Sequence, residues 1–162
     1  MALRNIITKE EKSLRRPSRQ VVKFDDRLHT LLDDMRETLF QANGVGLAAP
    51  QVGVNRRVVI VTDENDEVIE LINPEVISAD GEQEGYEGCL SVPGFYGVVR
   101  RPMNVTVKAQ NRDGNEFTVS GEGLLARAFC HEIDHLDGRL YTDIVLGTLI
   151  TAEEMEAMMT ED

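Results

Sequence analysis

The chain has 162 residues, and no Ser/Gly-rich or Pro-rich linker divides it, so we expect one domain over residues 1–162. Its formal net charge of −12 argues against direct nucleic-acid binding, because binding to phosphates needs clustered Lys and Arg. No stretch is apolar and long enough for a signal peptide or a membrane span, which predicts a cytoplasmic protein without membrane contact.

The first predicted element is an amphipathic helix that begins at Asp25, a residue suited to an N-cap, and ends at Asn43-Gly44. Apolar residues recur in it at helical spacing: Leu28, Leu31, Leu32, Met35 and Leu39. His29 lies in its first turns without a nearby Cys or His, so we expect a surface or capping residue there rather than a metal ligand.

Runs rich in Val, Ile and Thr follow the helix and are typical of β-strands. They cover residues 56–62, 68–74, 75–79 and 104–110. Asp113-Gly114 separates the last run from EFTVSG at residues 116–121, which predicts a hairpin because this dipeptide suits tight turns.

The pattern returns to helical spacing after Gly121, through Leu124, Leu125, Ala128, Ile133 and Leu136. This second helix is predicted to end at Asp137-Gly138. The acidic segment TAEEMEAMMTED closes the chain, with Thr151 as a possible cap for a last helix. The order of elements predicts an α+β fold, in which antiparallel β-sheets pack around the second helix and the amphipathic helix lies N-terminal.

The second helix carries the sequence HEIDH at residues 131–135. Residues four apart lie one turn apart on one helix face, so His131 and His135 can bind one metal ion. Glu132 is rotated about 100° from His131, which places its carboxylate beside the metal, in the position of a general base. The alternative is an ordinary helix with His and Glu on its solvated face.

Two protease patterns offer a third ligand for this pair. The long metalloprotease pattern fails, because Tyr141 occupies the position at which it requires a histidine. A second pattern, that of HExxH zinc metalloproteases with a late glutamate ligand, could use Glu153, Glu154 or Glu156. These residues lie in an acidic tail, where a solvated face is the simpler interpretation.

A better third ligand lies upstream, in EGCLSVPG at residues 87–94. Cys89 precedes a predicted Pro93-Gly94 turn, and its thiolate would complete a Cys/His/His set with one open position, as in catalytic sites. The alternative for a lone cysteine is a buried apolar filler.

A third segment, GVGLAAPQVG at residues 44–53, combines Gly44 and Gly46 with the polar Gln51. It is not a phosphate-binding loop, since it lacks the lysine and the spacing and leads into extended structure. By itself it could equally be a Gly-rich helix stop followed by a buried turn.

Together, GVGLAAPQ, EGCLS and HEIDH resemble the three motifs of peptide deformylases in order and approximate separation. The resemblance implies a hydrolase that removes the formyl group from the N-terminal formyl-methionine of newly made polypeptides. It also implies a metal site, with Cys89, His131 and His135 as the ligands. Glu132 would then be the catalytic acid and base.

The resemblance assigns further roles to residues of the same motifs. The side-chain amide of Gln51 and the backbone N–H of Leu90 would donate hydrogen bonds to the reacting oxygen. Glu87 would pair with an arginine on the next strand, where Arg100 and Arg101 are both available.

Substrate binding is expected from backbone groups of residues 44–46 and Gly88, to which an extended peptide would add like a strand. A pocket for the methionine side chain would be formed by Val45, Leu124, the stem of Arg127, Ala128 and the ring of His131.

The resemblance implies Fe2+ as the cofactor, with Ni2+, Co2+ or Zn2+ as possible substitutes, and the Cys/His/His set leaves the choice open. The implied partners are N-formyl-methionyl nascent polypeptides, which would bring the protein close to the ribosome. Some bacterial members dock there through a basic C-terminal helix. The short acidic end of this chain departs from that pattern, so we do not expect this docking mode.

Overall fold

The structure, a computed structural model, describes residues 2–160 and has the predicted α+β fold. The α-helices are α1 (Asp26–Ala42), α2 (Leu124–Leu136) and α3 (Ala152–Thr160). The strands are β1 (Gly46–Ala48), β2 (Val58–Thr62), β3 (Val68–Asp80), β4 (Gln83–Cys89), β5 (Val92–Arg101), β6 (Asn104–Gln110), β7 (Glu116–Glu122) and β8 (Leu146–Thr151). None of the helices in the described part of the chain combines the length and the hydrophobicity that spanning a membrane requires.

The strands form two antiparallel sheets. The larger has the order β1-β2-β3-β6-β7, and the smaller has the order β4-β5-β8. The predicted hairpin is confirmed: β6 pairs with β7, and Gly114 adopts a φ of 88° in the connecting turn, which favours glycine.

Strand β2 lies between two apolar cores because its side chains alternate between the faces of the sheet. On one face, Val58 and Ile60 pack with the apolar side of α1. On the other, Val59 and Val61 pack with α2, whose Phe129 is fully buried. Helix α2 is thus held against the large sheet from its first turn to its last.

Helix α1 begins as predicted, since the carboxylate of Asp25 accepts a hydrogen bond from the N–H of Leu28. It ends at Asn43, which has a left-handed φ of 55°. His29 is half-buried rather than on the open surface, and its Nε2 lies 2.8 Å from the carbonyl of Arg112 in the turn between β6 and β7.

Several strand predictions were wrong. Residues 68–79 form one strand rather than two, with register shifts after Ile72 and Val76. The turn expected at Pro93-Gly94 lies instead at Leu90-Ser91, and Pro93 and Gly94 belong to β5.

The last helix is capped as expected, because the hydroxyl of Thr151 accepts from the N–H of Glu154 at 3.1 Å. Residues 161 and 162 of the predicted acidic segment lie outside the described residues.

Candidate active site

Three possible metal ligands converge where the end of β4 meets α2. His131 and His135 are buried on one face of α2, with ring centroids 5.1 Å apart. Cys89 is the last residue of β4, and its Sγ lies 3.4 Å from Nε2 of His135. One ligand atom from each of the three residues lies within 4.8 Å of the other two.

The ring of His131 is oriented by Glu87, which lies two residues before Cys89 on β4. Nδ1 of His131 is 2.8 Å from Oε1 of Glu87, so Nδ1–H donates to the carboxylate. Nε2 then carries the lone pair, and its distance to Oε2 of Glu132 is 4.0 Å. Metal-binding histidines commonly have such a carboxylate partner, because it fixes both the tautomer and the direction of the ring.

Glu87 is in turn held by two arginines. Arg101 donates to both carboxylate oxygens, at 2.8 and 2.9 Å, and also to Asp134 at 2.7 Å. Arg127 adds a third donor at 2.6 Å. Of the two arginines that the sequence left open, Arg101 is therefore the partner of Glu87.

Arg100 is engaged elsewhere, with the exposed Glu84 at 3.0 Å. The two arginines have different partners because consecutive residues of β5 point to opposite faces of its sheet.

This buried cluster keeps Glu87 ionised. Burial by itself raises the pKa of the carboxyl, but hydrogen bonds from Arg101 and His131 outweigh it and lower the pKa to about 2. Glu87 is therefore a permanent acceptor for the N–H of His131 at physiological pH.

Glu132 has the opposite environment. Its carboxylate is buried, and among the described residues its Oε1 has no hydrogen-bond partner. Burial is the largest influence and raises the pKa of Glu132 to about 7. A Cβ added at Gly46 would lie 2.6 Å from Oε2 of Glu132, so only glycine at this position of β1 leaves room for the carboxylate.

The side chain of Gln51 reaches the same site from a 3-10 turn at Ala49–Val52. Its Oε1 accepts from the N–H of Ala48 at 2.9 Å. Its Nε2 lies 3.1 Å from Oγ of Ser91 and 3.6 Å from Sγ of Cys89. The backbone of Leu90 is next to these groups, because Leu90 lies between Cys89 and Ser91 in the turn that follows β4.

The residues predicted to bind substrate fall into two groups. Val45 and Leu124 are exposed, with 66% and 82% of their surface accessible. Arg127 and Ala128 are buried on α2, one turn before His131. The guanidinium of Arg127 is committed to Glu87, so any contribution of this residue to a pocket is limited to the rest of its side chain.

The three glycines differ in their surroundings. Gly44 is half-buried between the side chains of Leu39 and Leu90, and Gly46 is buried against Glu132. Gly88 is exposed on β4, although the ring of Tyr96 covers the position that a side chain would occupy.

Sequence reasoning missed two residues of the site and one contact. It did not connect Arg127 with Glu87, it gave no role to Ser91, and it considered Tyr141 only as a failed ligand. The ring of Tyr141 stacks near that of His131, with centroids 6.0 Å apart, and its hydroxyl donates to the carbonyl of Phe95 at 3.1 Å. Ser91 could have been noticed from its place in the EGCLS motif.

The donor set fits a divalent metal ion. A cysteine and two histidines match the ligands of catalytic transition-metal sites, in which three protein ligands leave a fourth position open. Among the described residues, Cys89, His131 and His135 form the one group of three possible ligands. The late glutamates of the protease alternative are exposed on α3, where Glu154 binds the N–H and hydroxyl of Thr151.

Comparisons with known proteins agree with this geometry. The polypeptide deformylase family model matches residues 3–147. A peptide deformylase of Caldicellulosiruptor bescii is 56% identical over 96% of this chain and 93% of its own length. A second, from Acetivibrio thermocellus, is 55% identical over 96% of this chain and 91% of its own length.

Solved structures give the same assignment. The crystal structure of a peptide deformylase from Legionella pneumophila has a TM-score of 0.87 and 43% identity, covering 99% of this chain and 92% of that one. The peptide deformylase of Thermotoga maritima has a TM-score of 0.87 and 36% identity, covering 91% of this chain and 100% of its own. The chain therefore belongs to the peptide deformylase family.

Proposed function

We propose that Cys89, His131 and His135 hold a divalent metal ion and that Glu132, Gln51 and Leu90 carry the chemistry around it. As a peptide deformylase, the chain hydrolyses the formyl group from the N-terminal formyl-methionine of newly synthesised polypeptides and releases formate. The convergence of the three ligand atoms within 4.8 Å, next to a buried glutamate, is the observation that carries the assignment of residues.

Proton transfer is assigned to Glu132. The metal ion, when bound, would act as a Lewis acid that makes water acidic enough to yield hydroxide at neutral pH. Glu132 takes the proton of the attacking water and later delivers it to the amine that leaves when the C–N bond breaks. Its pKa of about 7 suits both steps, because an acid–base group works best when its pKa is near the working pH.

Stabilisation of the formyl oxygen is assigned to two N–H groups. Negative charge grows on this oxygen as the water oxygen attacks the formyl carbon. The amide of Gln51 and the backbone N–H of Leu90 would donate to it. One such donor is typically worth about 3 kcal/mol of transition-state stabilisation. The fixed position of the Gln51 amide supports this role, because a donor that is already oriented need not reorganise during the reaction.

Substrate binding is assigned to the two segments that flank the site. Backbone groups of Gly44, Val45 and Gly46 on one side and of Gly88 on the other would hydrogen-bond an extended peptide, which makes binding tolerant of sequence. The exposure of Val45 and Gly88 supports an open cleft between them. The methionine side chain would lie against the apolar residues Leu124 and Ala128 and the stem of Arg127.

Metal identity and cellular context complete the proposal. We propose Fe2+ as the physiological ion, with Ni2+, Co2+ or Zn2+ as substitutes, since a mixed S/N donor set accepts all four. Nascent chains carrying formyl-methionine place the enzyme near the ribosome in the cytoplasm. The net charge of −12 supports the absence of direct nucleic-acid binding. The single domain over residues 1–162 stays a prediction.

An anaerobic assay of the iron-loaded protein, with its metal content measured, tests the assignment. Formyl-Met-Ala-Ser should release formate, whereas the acetylated peptide should be essentially inert. A methyl group on the reacting carbon would crowd Gln51 and Leu90. Displacement of the reacting carbon by about 1 Å can cost a hundredfold in rate. Cys89→Ala should lose both metal and turnover, and Cys130→Ala, which changes the other free cysteine, on α2, should keep both. Full activity and metal in Cys89→Ala would refute the ligand set.

A further inference from the structure

The amide of Gln51 has a single possible orientation in this structure. A backbone N–H can only donate, so the atom 2.9 Å from the N–H of Ala48 must be the oxygen of Gln51. Nε2 and its two hydrogens therefore face Ser91 and Cys89. Nε2 has two acceptors within reach for its two hydrogens: Oγ of Ser91 at 3.1 Å and Sγ of Cys89 at 3.6 Å.

Ser91 binds one of the two hydrogens of the Gln51 amide and leaves the other available. It is fully buried, and its Oγ takes the shorter of the two bonds, which engages one hydrogen away from the cleft. The other hydrogen is left on the Cys89 side, where the proposed function puts the formyl oxygen. We propose that Ser91 is a positioning residue, which holds the Gln51 amide with one N–H directed at the reacting oxygen.

Two backbone hydrogen bonds from the N-terminal segment also hold Ser91 and Gln51 near each other. The carbonyl of Gln51 accepts from the N–H of Ile7 at 2.8 Å, and the carbonyl of Ser91 accepts from the N–H of Lys9 at 2.9 Å. The two segments that meet in the Gln51–Ser91 bond are thus also joined through the N-terminal backbone. The hydroxyl of Ser91 adds the shorter of the two contacts made by Nε2 of the amide.

The inference rests on the proposed role of Gln51, and the experiment separates the two. Ser91→Ala removes one acceptor of Nε2, while Oε1 keeps its bond to the N–H of Ala48. The amide plane is then less restricted, so an N–H is directed at the formyl oxygen for a smaller share of the time. We expect kcat for formyl-Met-Ala-Ser to fall about tenfold, as for loss of one hydrogen bond, with KM and metal content unchanged. Ser18→Ala is the matched control, because Ser18 is also buried and its Oγ has no partner among the described residues.

The same substitution in a Gln51→Leu background gives the decisive comparison. If Ser91 acts through Gln51, its removal should then cost less than about twofold, because residues that act as a unit are not additive. An equal loss in both backgrounds would overturn the inference, as would an unchanged kcat in Ser91→Ala. Normal turnover in Gln51→Leu would instead refute the proposed role of Gln51 itself.

NMR of the zinc-loaded wild-type protein provides a test that needs no stable Ser91 variant. The side-chain NH2 signals of Gln51, assigned by their loss in Gln51→Leu, should include one downfield proton with slow solvent exchange and a nuclear Overhauser effect to Hβ of Ser91. Two fast-exchanging protons without that contact would overturn the inference.

Discussion

Two glutamates of the site are both buried yet have opposite proton affinities. Glu87 faces Arg101, Arg127 and His131, and its pKa is lowered to about 2. Glu132 lies against Gly46, one of its oxygens has no hydrogen-bond partner within residues 2–160, and burial raises its pKa to about 7. Environments that move two carboxyl pKa values apart commonly separate a structural role from a catalytic one.

The proposed catalytic role of Glu132 predicts the behaviour of Glu132→Ala. This variant should keep its fold and its metal but lose at least about a hundredfold in kcat, because only the proton carrier is removed. Formate release, metal analysis and circular dichroism check the three expectations. Glu84→Ala, which changes an exposed glutamate of β4, serves as the control and should keep full turnover. Joint loss of metal and activity in Glu132→Ala would show that Glu132 is a ligand.

The structural role of Glu87 predicts a specific dependence of stability on pH. Its folded-state pKa of about 2 lies below the ordinary 4.5, so its contribution is complete above pH 4.5 and is lost as the pH falls towards 2. This difference in pKa corresponds to a contribution of about 3 kcal/mol to the free energy of unfolding. In Glu87→Gln the free energy of unfolding should fall at pH 7, and the acid-dependent loss between pH 4.5 and 2 should become smaller than in the wild type.

Urea unfolding at several pH values measures this effect. Glu84→Gln is again the control, because the exposed Glu84–Arg100 pair should contribute little at any pH. Equal pH profiles for Glu87→Gln and the wild type would contradict the assignment.

The elements differ in how far their sequences predict them. Helices α1 and α2 and the β6–β7 hairpin were predicted correctly, because apolar residues recur at their periods and turn residues mark their ends. Strands β4 and β5 were missed, since the side chains they bury include the charged Glu87 and Arg101. Hydrophobic periodicity cannot reveal a strand whose buried face carries an ion pair.

The residues of the candidate site also differ in how far the sequence predicts them. Its motif residues could be predicted from spacing and resemblance, because the metal chemistry restricts their types. Most of the residues that contact these motif residues could not be predicted from the sequence. Arg101 was separated from Arg100, and Tyr141 was recognised, only when strand faces and distances were known, although Ser91 already lay in the EGCLS motif.

Helix α3 is the element that we expect to be dispensable for catalysis. None of its residues is buried, and its link to β4 is a contact of 3.9 Å between the hydroxyl of Tyr86 and Sδ of Met158. A chain ending at Thr151 should therefore keep kcat/KM within about twofold and lose little stability, in line with the small effects of exposed positions. Formate release and thermal unfolding test this, and a loss of turnover beyond tenfold would assign α3 a role in the site.

At the scale of the whole molecule, the site is assembled from segments that are far apart in sequence. Residues 49–52, the turn after β4 and helix α2 each contribute to it. The N-terminal segment adds to this assembly, because Ala2 binds Asp34 on α1 and Ile7 binds Gln51. A metal ion held by Cys89 and α2 would therefore bind the folded chain more tightly than the unfolded one.

The position of β2 between two cores makes it possible to measure the coupling between metal binding and folding. Val59, Ile60 and Val61 are fully inaccessible, and β2 pairs with β1 on one side and β3 on the other. Their amide protons should exchange with deuterium only when the entire chain unfolds. Metal at 100 times its dissociation constant should slow that exchange about a hundredfold, corresponding to about 2.7 kcal/mol, whereas Cys89→Ala should show no such slowing. The deuterium uptake of this one strand is then a direct measure of metal affinity, independent of any substrate.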